Sequence, residues 1–449
     1  MRTPVHVPDT VKNPVSLLGM ALATATAALF LVLFLLEAFG FLVNPYLGLL
    51  VFVTLPVIFL AGLALIPVGA WRTARRRRLY PEAPEWPVID LRQERQRVVF
   101  AAVLALTFVN IVIVSLAGYG GVHYMESREF CGQVCHETMA PEFEAHQVWP
   151  HASVACTGCH IGPGVGSFVE AKLAGTRQLY HLMRNQVPRP VPAPVRSLGR
   201  TTDTCGRCHW PERFQGSRLR DIREYADDAQ NSETVTGLLM KIGSPGGGPG
   251  SGVHRHISLD IEYVTTDEKR QSIPYVRVRD DRGAVREFTA DGTTQEQIAG
   301  GTRRQMDCVD CHNRPAHTFA FTPQRAVDAA IARGEIAREL PFVRREAVAA
   351  VSAEYADRTA ALESIAARLD DFYRAREGVD ARMVARAVSA TQQVWARNVF
   401  PVMRVAWGTY PNHLGHVDTP GCFRCHDDSH KAADGTTISQ DCELCHAIQ

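Results

Sequence analysis

The apolar residues are concentrated in the first quarter of the chain. Between Lys12 and Arg72 there is no Lys or Arg, and Glu37 is the only acid. This stretch is long enough for two membrane helices, and the turn sequence Asn44-Pro45 separates them. A third uncharged run follows Arg97. We therefore predict three membrane spans, at about 15–39, 47–70 and 98–120.

Beyond the third span, the pattern changes to short segments. Apolar and polar residues alternate over 256–263, which predicts a half-buried strand. The turn sequence at 280–283 lies between two β-rich runs, 275–279 and 285–288, and predicts a hairpin. We therefore expect a small β insert at about 213–305.

A later stretch, 323–400, has helical periodicity. Its apolar residues Leu362, Ile365, Leu369 and Phe372 recur at helical spacing with charges between them. We predict three or four amphipathic helices here. The stretch contains no His or Cys, so we interpret it as a packing or interface module.

The charged loops predict the orientation in the membrane. The 71–97 segment carries eight arginines against four acids, whereas the first loop between spans has no basic residue. Basic loops stay in the cytoplasm, so 71–97 and the N-terminus are expected there and everything after the third span outside. The net charge of the chain is +1, which argues against a nucleic-acid partner.

Every cysteine lies in a pair that is followed directly by a histidine. C-x-x-C-H attaches haem c through two thioethers, and its histidine becomes an axial iron ligand. Zinc-binding or disulfide pairs would not explain these histidines, since His is only 17 of 449 residues. The first pair has three intervening residues, a longer loop that attachment can tolerate. We number the motifs one to six: Cys131/Cys135/His136, Cys156/Cys159/His160, Cys205/Cys208/His209, Cys308/Cys311/His312, Cys422/Cys425/His426 and Cys442/Cys445/His446.

Haem c is attached outside the cytoplasm, which agrees with the orientation inferred from arginine. Ten histidines outside the motifs are available there as second axial ligands. A haem that only passes electrons has both axial positions filled, whereas a catalytic haem keeps one open. The surplus therefore favours electron transfer over substrate reduction. The ten are His123, His146, His151, His181, His254, His256, His317, His413, His416 and His430.

Three blocks of sequence resemble the NapC/NirT family of membrane-anchored multihaem quinol dehydrogenases, the NrfH type included. They are Cys131–Met139 after a membrane helix, His151–Gly164 around the second motif, and Ala171–Gly175 followed by Tyr180-His181. The resemblance covers about 98–209 and resumes at 305–320. The tail, 407–426, is similar to longer members with extra haems.

The resemblance implies roles for individual residues. Met139 matches a methionine that ligates the first haem, although its offset and the longer first motif leave the choice between Met139 and His136 open. His151 would serve the fourth haem and His317 the second. Lys172 would line the quinol pocket.

The family's acidic residue near the quinol pocket falls near Leu179 and is missing here. Glu170, Glu142 or a haem propionate could replace it as proton acceptor. The remaining irons have weaker candidate ligands, namely His181, His413, His416, His430 and one of His254 and His256.

The residues and the resemblance together predict a hexahaem cytochrome c of the bacterial inner membrane. It would take electrons from membrane quinol and pass them to a periplasmic acceptor, either a cytochrome or a reductase. Two alternatives stay open: a relay subunit of a larger membrane complex without its own quinol site, and a terminal multihaem reductase. The lack of a C-x-x-C-K motif disfavours the reductase.

The predicted fold is a membrane-anchored multihaem cytochrome. Three transmembrane helices precede a mainly α-helical or irregular periplasmic domain that packs around the haems. The expected boundaries are 1–14 (cytoplasmic N-terminus), 15–70 (two spans), 71–97 (basic loop), 98–120 (third span), 121–322 (tetrahaem domain with the β insert), 323–400 (helical module) and 401–449 (dihaem segment).

Overall fold

A computed structural model gives the architecture in two units, Met1–Val134 and Cys135–Gln449. We describe each unit by itself. The structure describes residues 13–38, 54–79, 92–134, 136–148, 150–161, 165–193, 201–210, 216–243, 252–280 and 282–448.

The first unit contains three long helices, α1 (Pro14–Ala38), α2 (Leu55–Leu79) and α3 (Glu94–Met125). Within the described residues, two helices are long and apolar enough to cross a membrane: α1 over Pro14–Leu33 and α2 over Leu55–Arg76. The third predicted span falls within α3, a continuous helix of 32 residues, and its crossing stays a prediction.

Helices α1 and α2 approach each other closely at small residues. A Cβ on Gly19 would come within 2.6 Å of the carbonyl oxygen of Gly62. The buried Ser16 hydroxyl donates to the carbonyl oxygen of Ile66 over 2.9 Å. Small side chains allow such contacts between apolar helices, and the hydroxyl contributes a polar link between them.

The basic segment does not begin as the loop that the sequence predicts. Helix α2 continues to Leu79 and so includes Arg75–Arg78. Arg, Ala and Leu favour helix, and arginine can extend its charge to water from a helix end. The beginning of the second predicted span, 47–53, lies outside the described residues.

The second unit begins with helices around the first three haem motifs, and the longest of them, Val165–Met183, contains no motif residue. They are α4 (His136–Gln147), α5 (Cys156–His160), α6 (Val165–Met183) and α7 (Thr201–Cys205). The fourth motif lies on a single turn, α9 (Cys308–Cys311), which Asp307 caps by accepting a hydrogen bond from Val309 N. The intervening helix α8 is Gln295–Gly300.

Two antiparallel sheets follow, with strand orders β1-β2-β8 and β6-β3-β4-β5-β7. The hairpin predicted at 275–288 is present as β4 and β5. The strand predicted at 256–263 is displaced, because 253–258 forms a 3-10 turn before β3. The strands are β1 (Gly216–Tyr225), β2 (Glu233–Gly243), β3 (Asp260–Thr265), β4 (Tyr275–Arg279), β5 (Val285–Ala290), β6 (Thr302–Gln305), β7 (His430–Lys431) and β8 (His446–Ile448).

The β part is therefore more than an insert in the tetrahaem domain. The C-terminal segment supplies β7 to one sheet and β8 to the other. Strand β7 begins at His430 and strand β8 begins at His446. The sheets thus connect the last two haem motifs to the middle of the chain.

Four helices form the module at 323–400, each with one apolar face in a shared core. Ile365, Leu369 and Trp395 are among its fully buried side chains. The helices are α10 (Pro323–Ala332), α11 (Val343–Ser352), α12 (Arg358–Arg374) and α13 (Ala381–Ala396).

The turn between β1 and β2 is bound to this module. The buried Asn231 amide donates to the carbonyl oxygens of Arg338 and Leu340 over 2.8 and 2.9 Å. Its oxygen accepts from Arg344 N over 3.0 Å. One side chain thus satisfies three backbone groups just before and in the first turn of α11. Because β2 also pairs with β8, the module supports the sheet that carries the sixth motif.

Candidate haem centres

Each of five motif histidines faces another histidine from a different part of the chain. The ring centroids of these pairs are between 5.8 and 6.3 Å apart. No two partners are adjacent in sequence, so the fold itself brings them together. The pairs are His160 with His317, His209 with His151, His312 with His254, His426 with His256, and His446 with His416.

The spacing fits one iron between each two rings. A metal–imidazole bond is about 2 Å long, and the ring centroid lies about 1 Å behind the bonding nitrogen. Two imidazoles on opposite sides of one metal ion therefore have centroids about 6 Å apart. The residues present thus fit bis-histidine haem c at motifs two to six.

The hydrogen bonds of the rings support the same conclusion. In five of these histidines, Nδ1 lies within hydrogen-bonding distance of a backbone carbonyl oxygen. A donor bond from Nδ1 fixes the ring and leaves Nε2 for a metal. The acceptors are Pro315 for His151 (3.1 Å), Ile242 for His254 (3.2 Å), Val253 for His256 (2.8 Å), Glu142 for His317 (2.9 Å) and Ser439 for His426 (2.8 Å).

Burial also favours the protonation state that binds metal. Burial lowers the pKa of five paired imidazoles, so they are neutral at neutral pH. They are His160, His254, His256, His312 and His317.

The hydrogen bonds of two other candidate ligands, His413 and His430, favour a structural role. In His413, Nδ1 bonds to the carbonyl oxygen of Asp310 (3.0 Å), while Nε2 meets the Lys269 carbonyl oxygen (3.1 Å) and the Gln271 amide (3.0 Å). In His430, Nδ1 lies 2.8 Å from an Asp427 carboxylate oxygen and Nε2 lies 2.7 Å from the carbonyl oxygen of Ile273. With both nitrogens engaged, neither ring offers one to an iron.

The cysteine thiols indicate which motifs are neighbours. Burial raises the pKa of the Cys159 thiol, and Cys156 and then Cys208, of the third motif, raise it further. A hydrogen bond between the thiols of Cys205 and Cys308 connects the third motif to the fourth.

The same pattern continues towards the C-terminus. Burial raises the pKa of the Cys311 thiol to about 11, and Cys422 of the fifth motif is the next cause. Burial raises the pKa of Cys445 in the sixth motif, and Cys422 again raises it further. Motifs two to six are therefore neighbours in chain order, which suits transfer of single electrons from one to the next.

Comparisons with known proteins agree with this site. A model of the N-terminal region of the NapC/NirT cytochrome c family matches residues 93–190. The chain is 39% identical over 445 residues to the cytochrome c-type protein ImcH of Geobacter sulfurreducens, covering 97% of this chain and 88% of that protein. The chain belongs to the NapC/NirT cytochrome c family. No solved structure matches it.

Membership in the NapC/NirT family fixes covalently bound haem c as the cofactor and electron transfer as the activity. The two apolar helices fit a membrane-anchored member of the family. Membrane and redox partners follow in general terms, but no particular partner is identified.

The structure changes one ligand expected from the NapC/NirT resemblance. His317 faces His160 of the second motif, as the resemblance implies. His151 was expected at the fourth motif, but its ring lies 6.0 Å from that of His209 in the third. The fourth motif histidine, His312, instead faces His254, which the insert supplies and the family pattern lacks.

Glu142 has a role that the sequence did not indicate. Its carboxylate oxygens accept from Arg314 Nη2 over 2.9 and 2.7 Å, and its backbone oxygen binds His317. The Arg314 guanidinium lies 4.0 Å from the ring centroid of Tyr410. Glu142 therefore orients His317, and this geometry disfavours its use as a quinol proton acceptor.

The buried His146 is one of the ten available histidines but was not assigned to an iron, and its ring lies 5.9 Å from that of His317. Its spacing of ten residues from His136 gives no motif by which it could have been found.

The remaining candidates concern the first haem, the quinol pocket and the ligand role of His181. Cys135 and the side chain of His136 lie outside the described residues, so the choice between His136 and Met139 stays open. Met139 is half-buried on α4. Lys172 is half-buried on α6, where its carbonyl oxygen accepts from the Thr176 hydroxyl over 2.9 Å. The exposed His181 lies on the same helix, with Nδ1 3.4 Å from Gln186 Oε1. The ligand role of His181 and the quinol role of Lys172 remain predictions.

Proposed function

We propose that this cytochrome takes electrons from quinol in the bacterial inner membrane and passes them along its haem motifs to a periplasmic acceptor. The observation that carries the proposal is the set of five histidine pairs on motifs that follow one another in space. Filled axial positions favour relay over reduction of a substrate at iron. This geometry disfavours a terminal reductase at motifs two to six.

Six haems c would be held in this arrangement, and they supply one-electron redox chemistry when bound. The motif cysteines form the thioethers, and the ten paired histidines hold five irons. His136 or Met139 would hold the first. Because ligands cross between motifs, as His317 does to the second and His416 to the sixth, neighbouring centres are fixed close together.

Quinol would enter near the first motif. In the sequence, this motif follows a few residues after the third predicted span, where a quinol headgroup at the outer leaflet could reach it. Lys172 can donate a hydrogen bond to a quinone oxygen and favour the anionic form as the proton leaves. With Glu142 engaged by Arg314, Glu170 or a propionate is the better candidate for proton acceptor.

Electrons would leave at the sixth motif, the last in the spatial order. Cys442 is exposed, and so are its apolar neighbours Leu444 and Ile448. An acceptor that docks at the sixth motif would receive electrons without contacting the first motif. The acceptor would be a periplasmic cytochrome or a reductase.

Stopped-flow reduction of the purified protein by a menaquinol or ubiquinol analogue tests the proposal. Quinol should reduce the haems, and Lys172→Ala should slow this reaction while dithionite still reduces all haems at the normal rate. Lys431→Ala is a matched control, because Lys431 is exposed and pairs with Asp291. Its quinol rate should not change.

The outcomes separate the competing functions. If the wild-type chain accepts electrons from dithionite but not from quinol, the protein is a relay subunit that depends on a larger complex. If Lys172→Ala reacts normally with quinol, the lysine is not part of the pocket.

A further inference from the structure

A buried network of charged side chains joins two haem-attachment loops. Asp310 lies between the two cysteines of the fourth motif, and Arg424 lies between those of the fifth. Their exposed fractions are only 2% and 9%. Arg424 Nη2 donates to the carbonyl oxygen of Asp310 over 2.7 Å. One attachment loop is therefore bound directly to the next.

The Arg424 guanidinium is held by dipoles rather than by an acid. Its Nε donates to the carbonyl oxygen of Gly421 over 2.7 Å and its Nη1 to that of Arg270 over 2.9 Å. Among the residues that the structure describes, Arg424 has no carboxylate within ion-pair distance. Carbonyl groups orient the guanidinium but leave its full positive charge inside the protein.

The Asp310 carboxylate is surrounded by donors. It accepts from Arg270 Nη1 over 2.7 Å and from the Tyr263 hydroxyl over 2.5 Å, and Arg304 Nε lies 3.5 Å away. Asp307 also contributes a negative charge near Arg304. We call Arg270, Arg304, Arg424, Asp307 and Asp310 the junction cluster. Two of its guanidinium groups face the Asp310 carboxylate and the third is held by carbonyl oxygens, so three positive charges stand against two negative ones.

The pKa of a nearby histidine reflects this excess of positive charge. Burial lowers the pKa of His413 to about 4, and Arg424 is the next cause. His413 is not one of the paired histidines and stays neutral.

A buried positive charge acts strongly on a neighbouring redox centre, because the protein interior screens it poorly. Ferrous haem carries one positive charge fewer than ferric haem, so nearby cations favour the reduced state. Burying charges is costly, and a hydrophobic cluster of similar volume can be equally stable. This cost makes a role beyond packing worth testing.

We propose that the junction cluster fixes the fourth and fifth attachment loops to each other and raises the reduction potentials of the haems bound there. Arg424 and Asp310 are positioning residues in this proposal, since they act through the haem-bearing loops. The inference rests on the haem assignments of the proposed function. It makes electron transfer from the first three motifs into the fourth and fifth haems more favourable.

Two substitutions that change the net charge of the junction cluster in opposite directions provide the test. Arg424→Gln removes a cation and should lower the midpoint potentials of two of the six haems in a spectroelectrochemical titration. Asp310→Asn removes an anion and should raise those of the same two haems. A purely structural role would not produce shifts of opposite sign. Arg424→Lys retains the positive charge, so the midpoint potentials of these two haems should stay close to the wild-type values.

Arg344→Gln is the control, because Arg344 is a largely buried arginine paired with Asp328 in the helical module. It should leave all potentials unchanged. If Arg424→Gln fails to mature, Arg270→Gln should lower the same potentials. Potential shifts of the same sign in Arg424→Gln and Asp310→Asn, or no shift in either, would overturn the proposal. The titration uses mediators and no quinol, so its result does not depend on quinol oxidation.

Discussion

At the scale of single residues, the hydrogen bonds of each imidazole separate axial ligands from structural histidines. His317 uses Nδ1 for a backbone oxygen and points its ring at a motif histidine, whereas His413 uses both nitrogens within the protein. The sequence placed both among the candidate ligands. Distance along the chain from a motif does not reveal whether a second polar partner occupies Nε2. The geometry therefore disfavours His413 and His430 as ligands, although their distance from a motif favours them.

Replacement of His317 by alanine should convert one low-spin haem to high-spin and leave its covalent attachment intact. The reason is that His160 would lose its opposite ligand, while Cys156 and Cys159 still hold the porphyrin. Electron paramagnetic resonance and the mass of the intact chain measure the two effects.

His413→Ala is the control for that experiment, because it removes a buried histidine whose two ring nitrogens are hydrogen-bonded within the protein. The folded variant should keep the wild-type count of low-spin haems. A lost low-spin haem in His413→Ala, or none lost in His317→Ala, would contradict the assignment of ligands.

At the scale of elements, the short turn Val253–Ser258 connects the two groups of haem motifs. It presents His254 to the fourth motif and His256 to the fifth. The sequence predicted only one ligand from this pair and a strand that begins at His256. The residues before β3 instead form a 3-10 turn, so His254 and His256 reach different motifs.

The effects of substitutions in this turn on the number of low-spin haems should be additive. His254→Ala and His256→Ala should each convert one low-spin haem, and the double variant should convert two, because each ring serves a different iron. Counting low-spin haems by magnetic circular dichroism checks this. If the double variant resembled either single one, both histidines would act on the same haem.

Some elements follow from sequence patterns, whereas others cannot be predicted from them. Helices α10 to α13 and the β4–β5 hairpin have periodic residues and turn signals over many positions, and the sequence predicted them. Strands β7 and β8 contain two and three residues, too few for any alternation to appear. They form because β5 and β2 offer them partners, which only the tertiary fold provides.

At the scale of the whole molecule, six attachment motifs use every cysteine in the chain. We therefore predict six haems per chain. The mass of the intact protein and a pyridine haemochrome determination should agree on six. A count of five, with Cys131 and Cys135 free, would show that the longer first motif is not used and that quinol must enter elsewhere.

The topology follows from arginine and from the place of haem attachment, which are independent arguments. The arginines after the second span should remain in the cytoplasm, and every haem motif must reach the other side. We therefore predict an odd number of spans, with α3 as the third. Two spans alone would return the haem motifs to the cytoplasm.

Reporter fusions test this topology directly. A reporter active only in the periplasm should work when fused after Gln449 and be silent when fused within 75–95. Fusion after Ser127, a few residues beyond α3, should be active because the third helix has then crossed. A silent fusion at Ser127 together with an active one at Gln449 would show that the chain crosses later than α3. Activity within 75–95 would contradict the orientation inferred from arginine.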